Sequence, residues 1–337
     1  MRILVTGGTG YIGSHTCVEL ITKGHEVVIV DNLYNSNIDV LDKIEAITGV
    51  KPKFYEVDIL DKEGLDRVFK ENDFDAIIHF AGYKAVGESC VIPLTYYKNN
   101  ISGSINLYEC MAAHHVDNIV FSSSATVYGD NFEVPFKEEY GQGDTTNPYG
   151  TTKKFNEIIL EDFCKANKDI SAVSLRYFNP IGAHPSGLLG EDPKGIPNNL
   201  VPYIAKVATG ELDHLNVFGD DYDTIDGTGV RDYIHVVDLA KAHVKAIEYA
   251  QRHKGAEVIN VGSGKGYSVL EVLHAYEKAC GKKLAYEVKD RRPGDIAVSY
   301  ADTKKAKELL DFEVELDIED MCRDSYNFMI KSQKNEG

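Results

Sequence analysis

The sequence is short of positive charge. Lys and Arg number 36 against 53 Asp and Glu, a formal balance of −17 with a sequence pI near 5.1. Gripping a nucleic-acid backbone needs a basic stripe, so nucleic acid is excluded as a partner class. No apolar run approaches the ~20 residues of a membrane-spanning helix. The first residues, Met1-Arg2-Ile3-Leu4-Val5-Thr6, pass straight into a strand-like run and then glycines. They lack the apolar region and small-residue cleavage site of a secretory signal. Paired cysteines are also missing. Cys17, Cys90, Cys110, Cys164, Cys280 and Cys322 are scattered, with none at metal-ligand or redox-motif spacing. They read as idle thiols of a reducing cytoplasm, and no metal is expected. Neither a 20–50-residue repeat nor a low-complexity tract interrupts the chain.

What is present is an ordinary globular composition, 43% hydrophobic and 26% charged over 337 residues. That length suits two domains, or one large α/β unit with additions. Strand-like runs occur at Ile3–Thr6, Val27–Asp31, Lys53–Asp58, Ala76–Phe80, Asn118–Ser124 and Ser171–Tyr177. They are rich in Val, Ile and Phe and nearly unbroken in hydrophobicity, as strands covered on both faces are. Amphipathic segments such as Tyr11–Lys23 and Asn100–His114 lie between them. The alternation predicts a Rossmann-type, doubly wound parallel α/β sheet over residues 1–177. After Tyr177, Asn179–Leu200 is rich in Pro and Gly and Phe218–Val230 in Gly and Asp, so both read as loops. A helix near Val237–Arg252, a strand at Val258–Val261 and a helix at Ser268–Ala279 follow. A smaller mixed α/β substrate-binding domain is therefore expected over residues 178–337, with some segments able to return to the first sheet.

Gly7, Gly10 and Gly13 of Gly7-Gly8-Thr9-Gly10-Tyr11-Ile12-Gly13 directly follow the first strand and open the first helix. Glycines there allow a tight turn and close approach of backbone to a pyrophosphate, which the helix N-terminal amides then face. Asp31 ends the second strand about 20 residues on, where a carboxylate accepts hydrogen bonds from ribose hydroxyls and repels a 2′-phosphate. No Arg follows in Asn32–Asn37, so NAD is favoured over NADP. Asp58, after the third strand, is either an adenine contact or a turn cap.

Tyr149 and Lys153 stand four apart in Asn147-Pro148-Tyr149-Gly150-Thr151-Thr152-Lys153. Asn147 suits an N-cap and Pro148 the first helical position. The pair then shares a helix face, with the ammonium expected near the phenol and favouring phenolate. Spacing alone is weak evidence, since Tyr300 and Lys304 repeat it. The company of Ser122-Ser123-Ser124 at a strand end, where ligand crevices of such sheets lie, singles out Tyr149. The His114-His115 pair reads as a helix-end feature.

The glycine pattern, Ser124 and Tyr149-x-x-x-Lys153 resemble the extended short-chain dehydrogenase/reductase superfamily. The resemblance narrows to its sugar-nucleotide 4-epimerases through Phe80–Ser89, Ser122–Gly129, Arg176–Pro180, Gly190–Leu200 and Gly227–His235. It implies interconversion of UDP-glucose and UDP-galactose in nucleotide-sugar and galactose metabolism, by transient hydride transfer to tightly bound NAD through a 4-keto sugar. Tyr149 would be the base, Ser124 a hydrogen-bond partner of the reacting oxygen, and Lys153 a ligand of the nicotinamide ribose. The cofactor would be lined by Tyr11, Ile12, Asp31, Asn32, Asp58, Ile59, Phe80, Ala81, Gly82, Lys84, Asn99 and Phe178. Asn179, Asn199, Leu200, Asn216, Val217, Phe218, Arg231, Arg292 and Asp295 would hold the UDP-sugar. Guanidinium groups suit a diphosphate independently of any resemblance. A homodimer is implied as well.

One position departs from the pattern. Relatives restricted to unacetylated hexoses tend to carry a Tyr just after Arg-x-Gly-Asp, and aligning Arg292-Pro293-Gly294-Asp295 puts Ser299 there, with Tyr300 beside it. The small side chain predicts activity on UDP-N-acetylglucosamine and UDP-N-acetylgalactosamine too. Two other readings stand: a nucleotide-sugar 4,6-dehydratase, which would need an acidic pair where Ser124-Ala125-Thr126 lies, and a non-catalytic NAD-sensing protein, which need not keep Tyr149, Lys153 and Ser124 together.

Overall fold

The computed structural model describes residues 1–130, 132–192, 197, 199–292 and 295–335. The N-terminal half alternates strand and helix: β1 (Arg2–Thr6), α1 (Tyr11–Thr22), β2 (Glu26–Asp31), α2 (Val40–Thr48), β3 (Lys53–Glu56), α3 (Lys62–Lys70) and β4 (Ala76–His79). Two short helices follow, α4 (Val86–Val91) and α5 (Pro93–Tyr97), then a π turn at Lys98–Ser102 that runs into α6 (Gly103–Ala113). β5 (Asn118–Ser124), α7 (Pro148–Ala166) and β6 (Ser171–Tyr177) complete this half. Every residue of β4 and β6 is buried, which is why those runs read as unbroken hydrophobicity rather than as alternation.

The C-terminal half comprises β7 (Asn179–Ile181), α8 (Leu200–Thr209), β8 (Leu215–Phe218), β9 (Val230–His235), α9 (Val236–Ala250) and β10 (Gly255–Val261). It continues with β11 (Gly266–Ser268), α10 (Val269–Cys280), β12 (Tyr286–Lys289), β13 (Val298–Ser299), α11 (Lys304–Leu310) and α12 (Ile318–Asn335). The main sheet has seven strands in the order β3-β2-β1-β4-β5-β6-β10. All its pairings are parallel. Its seventh strand thus comes from the second half, and α9 packs against α1 in the same core.

Strand order reverses between β1 and β4, and ligand crevices of open α/β sheets form outside the carboxyl ends at such a point. The remaining elements build a second core around α8, α10 and α12. There β9 pairs with β7, β11 and β13, and β8 with β12. Asn179–Leu200 was expected to be loop throughout; its first three residues instead form β7, because they find a parallel partner in Tyr233–His235. Residues 193–196 and 198 of that segment lie outside the described residues. No described helix is long and apolar enough to cross a membrane.

Candidate active site

The glycine loop leaves β1 at the switch point. Gly7 has φ +70°, and a Cβ there would lie 2.7 Å from the Ala81 amide nitrogen. A Cβ on Gly13 would lie 2.2 Å from the Gly7 carbonyl oxygen, so any larger residue would push the loop off the helix. Gly10 caps α1 without a side-chain hydrogen bond, and no acidic residue occupies the first turn. By contrast Asp61 caps α3, Asn147 caps α7, and Ser268 with Glu271 forms a capping box on α10. The first-turn amides of α1 are therefore left for an anion, the fit a dinucleotide pyrophosphate requires.

Asp31 sits over this loop, accepting from the amides of Thr9 at 3.2 Å and Leu33 at 2.9 Å and from the Ser36 hydroxyl at 3.2 Å. Asn32 donates to the Asp58 carboxylate at 2.8 Å, and Asp58 also accepts from the Leu60 amide, as a turn cap does. Ile59 is buried against Gly103 of α6. Phe80 packs on His243 and Phe178 on Phe136, and Gly82 abuts the Asn100 amide. Tyr11 donates to the Gly182 carbonyl at 2.7 Å, tying α1 to the segment after β7. Asn99 is buried, donating to Asn100 at 2.9 Å, whereas Lys84 is exposed and paired with Glu191 at 3.2 Å.

Asn147 accepts from the Gly150 amide at 2.8 Å and Pro148 opens α7, which aims Tyr149 and Lys153 at the ends of β5 and β6. Ser124 accepts from both the amide and the hydroxyl of Thr126, at 3.2 and 3.0 Å. Its single hydrogen is thus free to be donated toward Tyr149. The ammonium lies near the phenol ring, as its helix spacing leads one to expect, while its hydrogen bonds go elsewhere. Lys153 Nζ donates to the Ser122 carbonyl at 2.5 Å and to the Ser122 hydroxyl at 3.1 Å, and stands 5.8 Å from the centre of the Tyr149 ring. Burial pushes the Tyr149 phenol up, while the Ser124 hydroxyl pulls the other way. Burial also brings the Lys153 ammonium down to about 7, opposed by the Glu157 charge one helical turn on. In the protein alone the phenol is held protonated rather than as phenolate, because a desolvated charge costs more than these neighbours return.

The sugar side is looser. Asn179 lies in β7, Asn199 precedes α8 and donates to Glu191 at 3.0 Å, and Leu200 begins α8. Asn216, Val217 and Phe218 lie on β8. The Asn216 amide donates to the Tyr203 hydroxyl at 3.4 Å, yet its carbonyl oxygen is buried without a partner, an acceptor left for a ligand. Arg231 donates to the Val230 carbonyl at 2.9 Å and lies 4.0 Å from Asp295. Arg292 stacks 3.8 Å from the centre of the Phe218 ring, and both Arg292 and Asp295 are exposed. Ser299 is buried and pairs in register with Arg231 across β13 and β9. Pro293 and Gly294, between Arg292 and Asp295, lie outside the described residues.

The roles of several residues around the site were not readable in the sequence. Ser122 holds the ammonium. Glu157 and Arg176, each only 2% exposed, form a two-bonded ion pair at 2.9 and 2.7 Å behind Ser123. Asn100 grips the backbone of Tyr83 on both sides and donates to Thr152 of α7 at 3.1 Å. The one available clue was polarity within buried periodic stretches. His114 bonds Asp66 at 2.8 Å, a partner 48 positions away that spacing hides. Among the described residues no three His, Cys, Asp or Glu come together as a metal site.

A family model described as the NAD dependent epimerase/dehydratase family matches residues 3–262. The UDP-glucose 4-epimerase of Bacillus subtilis is 57% identical over 328 residues, 97% of this chain and 96% of that protein. The structure of UDP-glucose 4-epimerase from Bifidobacterium longum in complex with NAD+ and UDP superposes with a TM-score of 0.95 at 55% identity, covering 99% of both chains. The UDP-Glc/GlcNAc 4-epimerase of Campylobacter jejuni matches with a TM-score of 0.86 at 37% identity, covering 98% of this chain and 99% of that one. The chain belongs to the NAD-dependent epimerase/dehydratase family and, within it, to the UDP-glucose 4-epimerases.

Proposed function

We propose that this chain is an NAD-dependent isomerase that interconverts UDP-glucose and UDP-galactose by inverting sugar carbon 4. The observation that carries the reading is the meeting of Tyr149, Lys153 and Ser124 beside an uncapped glycine-loop helix. Carbon 4 bears a hydroxyl and an unactivated hydrogen, so removing that hydrogen as a proton is prohibitive. When bound, NAD supplies a reversible oxidation at that carbon and a positive charge beside the phenol. Tyr149, ionised under that charge, takes the hydroxyl proton and later returns it to the same oxygen of the inverted sugar. Ser124 donates its free hydrogen to that oxygen, and Lys153, fixed by Ser122 at 5.8 Å from the centre of the phenol ring, would bind the nicotinamide ribose. The amides of α1 hold the pyrophosphate and Asp31 the adenosine ribose, with Gly7, Gly10, Gly13, Tyr11, Ile12, Asn32, Asp58, Ile59, Phe80, Ala81, Gly82, Lys84, Asn99 and Phe178 around the cofactor. Arg231 and Arg292 grip the substrate diphosphate; Asn179, Asn199 and Asn216 meet uracil and sugar, flanked by Leu200, Val217, Phe218 and Asp295.

Purified protein given UDP-galactose and no added NAD is expected to form UDP-glucose. Tyr149→Phe should lower the rate by about 10³-fold at an unchanged unfolding midpoint. Conversion that survives Tyr149→Phe, or a folded, NAD-loaded protein that converts nothing, overturns the reading. A nucleotide-sugar dehydratase would instead release a keto sugar lighter by one water, and a cofactor sensor would leave the sugar untouched.

The same site is proposed to accept the N-acetylated pair. Ser299 is small, buried and laddered to Arg231, and a relative at 37% identity carries both sugars in its name. Ser299→Tyr should remove conversion of UDP-N-acetylglucosamine while sparing UDP-glucose; equal loss of both, or neither, breaks that assignment. We further propose that the enzyme is cytoplasmic, that residues 1–177 serve the cofactor and 178–337 the sugar apart from α9 and β10, which return to the first core and sheet, and that two copies associate. Leu94, Ile105, Phe155 and Ile158, exposed apolar residues on neighbouring helices, support the last.

A further inference from the structure

His79 ends β4, is 1% exposed, and has no part in the chemistry above. Its ring nitrogens are both engaged, Nδ1 with the Thr6 hydroxyl at 2.7 Å and Nε2 with the Ser104 hydroxyl at 2.8 Å. The direction of every hydrogen bond around it follows from valence. The Asn100 carbonyl can only accept, so the Ser104 hydroxyl donates to it at 2.7 Å. That uses the one hydrogen of Ser104, so His79 Nε2–H must donate to Ser104. A neutral ring protonated at Nε2 carries a lone pair at Nδ1, which accepts the Thr6 hydrogen. Thr6 Oγ1 is then open to the only donor left, the Ala81 amide at 3.3 Å. Burial and the Lys153 charge bring the His79 imidazolium down to about 3, so the ring stays neutral and the order of the chain persists across the physiological range.

The two ends of this chain matter. Ala81 is the residue whose amide lies under Gly7 of the glycine loop. The Asn100 carbonyl sits in the π turn and also accepts from Asn156 of α7 at 2.8 Å, while the Asn100 side chain reaches Thr152 of the same helix. Thr152 in turn donates to the Tyr149 carbonyl at 2.7 Å. Thr6, His79, Ser104, Asn100, Asn156 and Thr152 are all buried, so no water can replace a lost link.

We infer that His79 is a positioning residue for the carbon 4 chemistry, acting through a hydrogen-bond chain that runs from the floor of the glycine loop to the Asn100 carbonyl, where it meets Asn156 of the helix that carries Tyr149 and Lys153. The inference rests on the function proposed above. The chain spans three elements that must stay in register: the end of β4 beneath the cofactor, the π turn, and the first turns of α7. An apolar ring of the same shape would fill the space but leave the Thr6 hydrogen without its acceptor and the Ser104 oxygen without its donor, cutting the link between β4 and the π turn.

The test compares His79→Phe, His79→Gln and Ser104→Ala in the full-length, cofactor-loaded protein. His79→Phe should cut kcat by about tenfold or more with KM for UDP-galactose within about twofold, the split expected when reacting groups shift and substrate binding does not. His79→Gln, whose Nε2 can still donate to Ser104, should recover most of the lost kcat. Amide hydrogen exchange should quicken at Lys98–Ser102 and Tyr149–Lys153 in His79→Phe and Ser104→Ala, with α12 unchanged. Unchanged kcat and exchange in His79→Phe overturn the inference; so does a uniform rise in exchange with no rescue by Gln, which marks a purely structural residue. If His79→Phe does not fold, Ser104→Ala, which removes a single hydroxyl, decides by the same two readouts. Failure of the unsubstituted protein to convert UDP-galactose breaks the functional reading instead, and the exchange pattern then decides the His79 chain alone.

Discussion

The cofactor half and the sugar half of the cleft are built on opposite plans. On the cofactor side, groups are fixed by burial, close backbone approach and short bonds: Gly7 against Ala81, Lys153 against Ser122, Glu157 against Arg176. On the sugar side, Arg292 and Asp295 are exposed, Asn216 keeps an unpartnered oxygen, and Arg231 reaches Asp295 only at 4.0 Å. The difference follows from what each half must tolerate. On the proposed mechanism, a cofactor that stays in place rewards rigidity, whereas a sugar that must present both faces needs partners that can adjust. Damage to the first half should therefore register as lost stability, and damage to the second as lost affinity.

The largest expected effect tests the buried plan. Glu157→Gln leaves Arg176 charged without its partner in a fully buried place, and about 3–5 kcal/mol of stability should go with it. A denaturation midpoint within error of the parent protein would show that the cofactor half is less over-determined than its bonds suggest. Next comes the pH response of Lys153. Burial lowers its pKa in the fold from 10.5 to about 7. Between those values the unfolded chain holds a proton that the folded chain has released, so stability rises with pH across that window. Urea midpoints at about pH 7.5 and about pH 9.5 should diverge less in Lys153→Met than in the parent; an identical slope would remove Lys153 as its source.

The sugar side should answer differently. Arg231→Ala or Arg292→Ala is expected to raise KM for UDP-galactose by about tenfold with kcat retained, and Arg292→Ala to shift stability by no more than about 0.5 kcal/mol. A fall in melting temperature for Arg292→Ala would put that residue on the rigid plan instead. Smallest is the effect of salt. Despite the net charge of −17, substrate affinity should change only mildly with ionic strength, because the local field of the site rather than the surface meets the diphosphate. A salt response as large as that of Arg231→Ala would break the contrast.

Much of the cofactor half was legible because its strands are buried on both faces and so write themselves as Val and Ile runs, and because Gly7, Gly10, Gly13 and Asp31 sit at sequence spacings set by one strand–helix unit. Tyr149 was legible through its cap and its neighbours. What stayed hidden depends on partners far along the chain. β7, β11 and β13 are two or three residues long and exist because β9 lies beside them, not because of their own composition. The π turn at Lys98–Ser102 buries both Asn99 and Asn100, a placement made by bonds to Tyr83 and α7 rather than by local spacing. The hydrogen bonds that Lys153 makes to Ser122 depend on a carbonyl 31 positions away, which helix spacing cannot reveal.

The late arrival of β10 bears on how such a chain can be made or rebuilt. Seven residues of β6 stay unpaired on one side until Gly255–Val261 emerges from the ribosome, so the first fold cannot close as it is synthesised. Cutting after Tyr177 would leave an apolar open edge, a template for association with other chains. The second core is thus assembled from both sides of β10, one part inserted within the first fold between β6 and β10 and the other following it as a tail. A chimera meant to exchange sugar specificity between relatives has to splice at the exit of β6 and at both ends of β10, because Ser299 and Arg292 follow that strand.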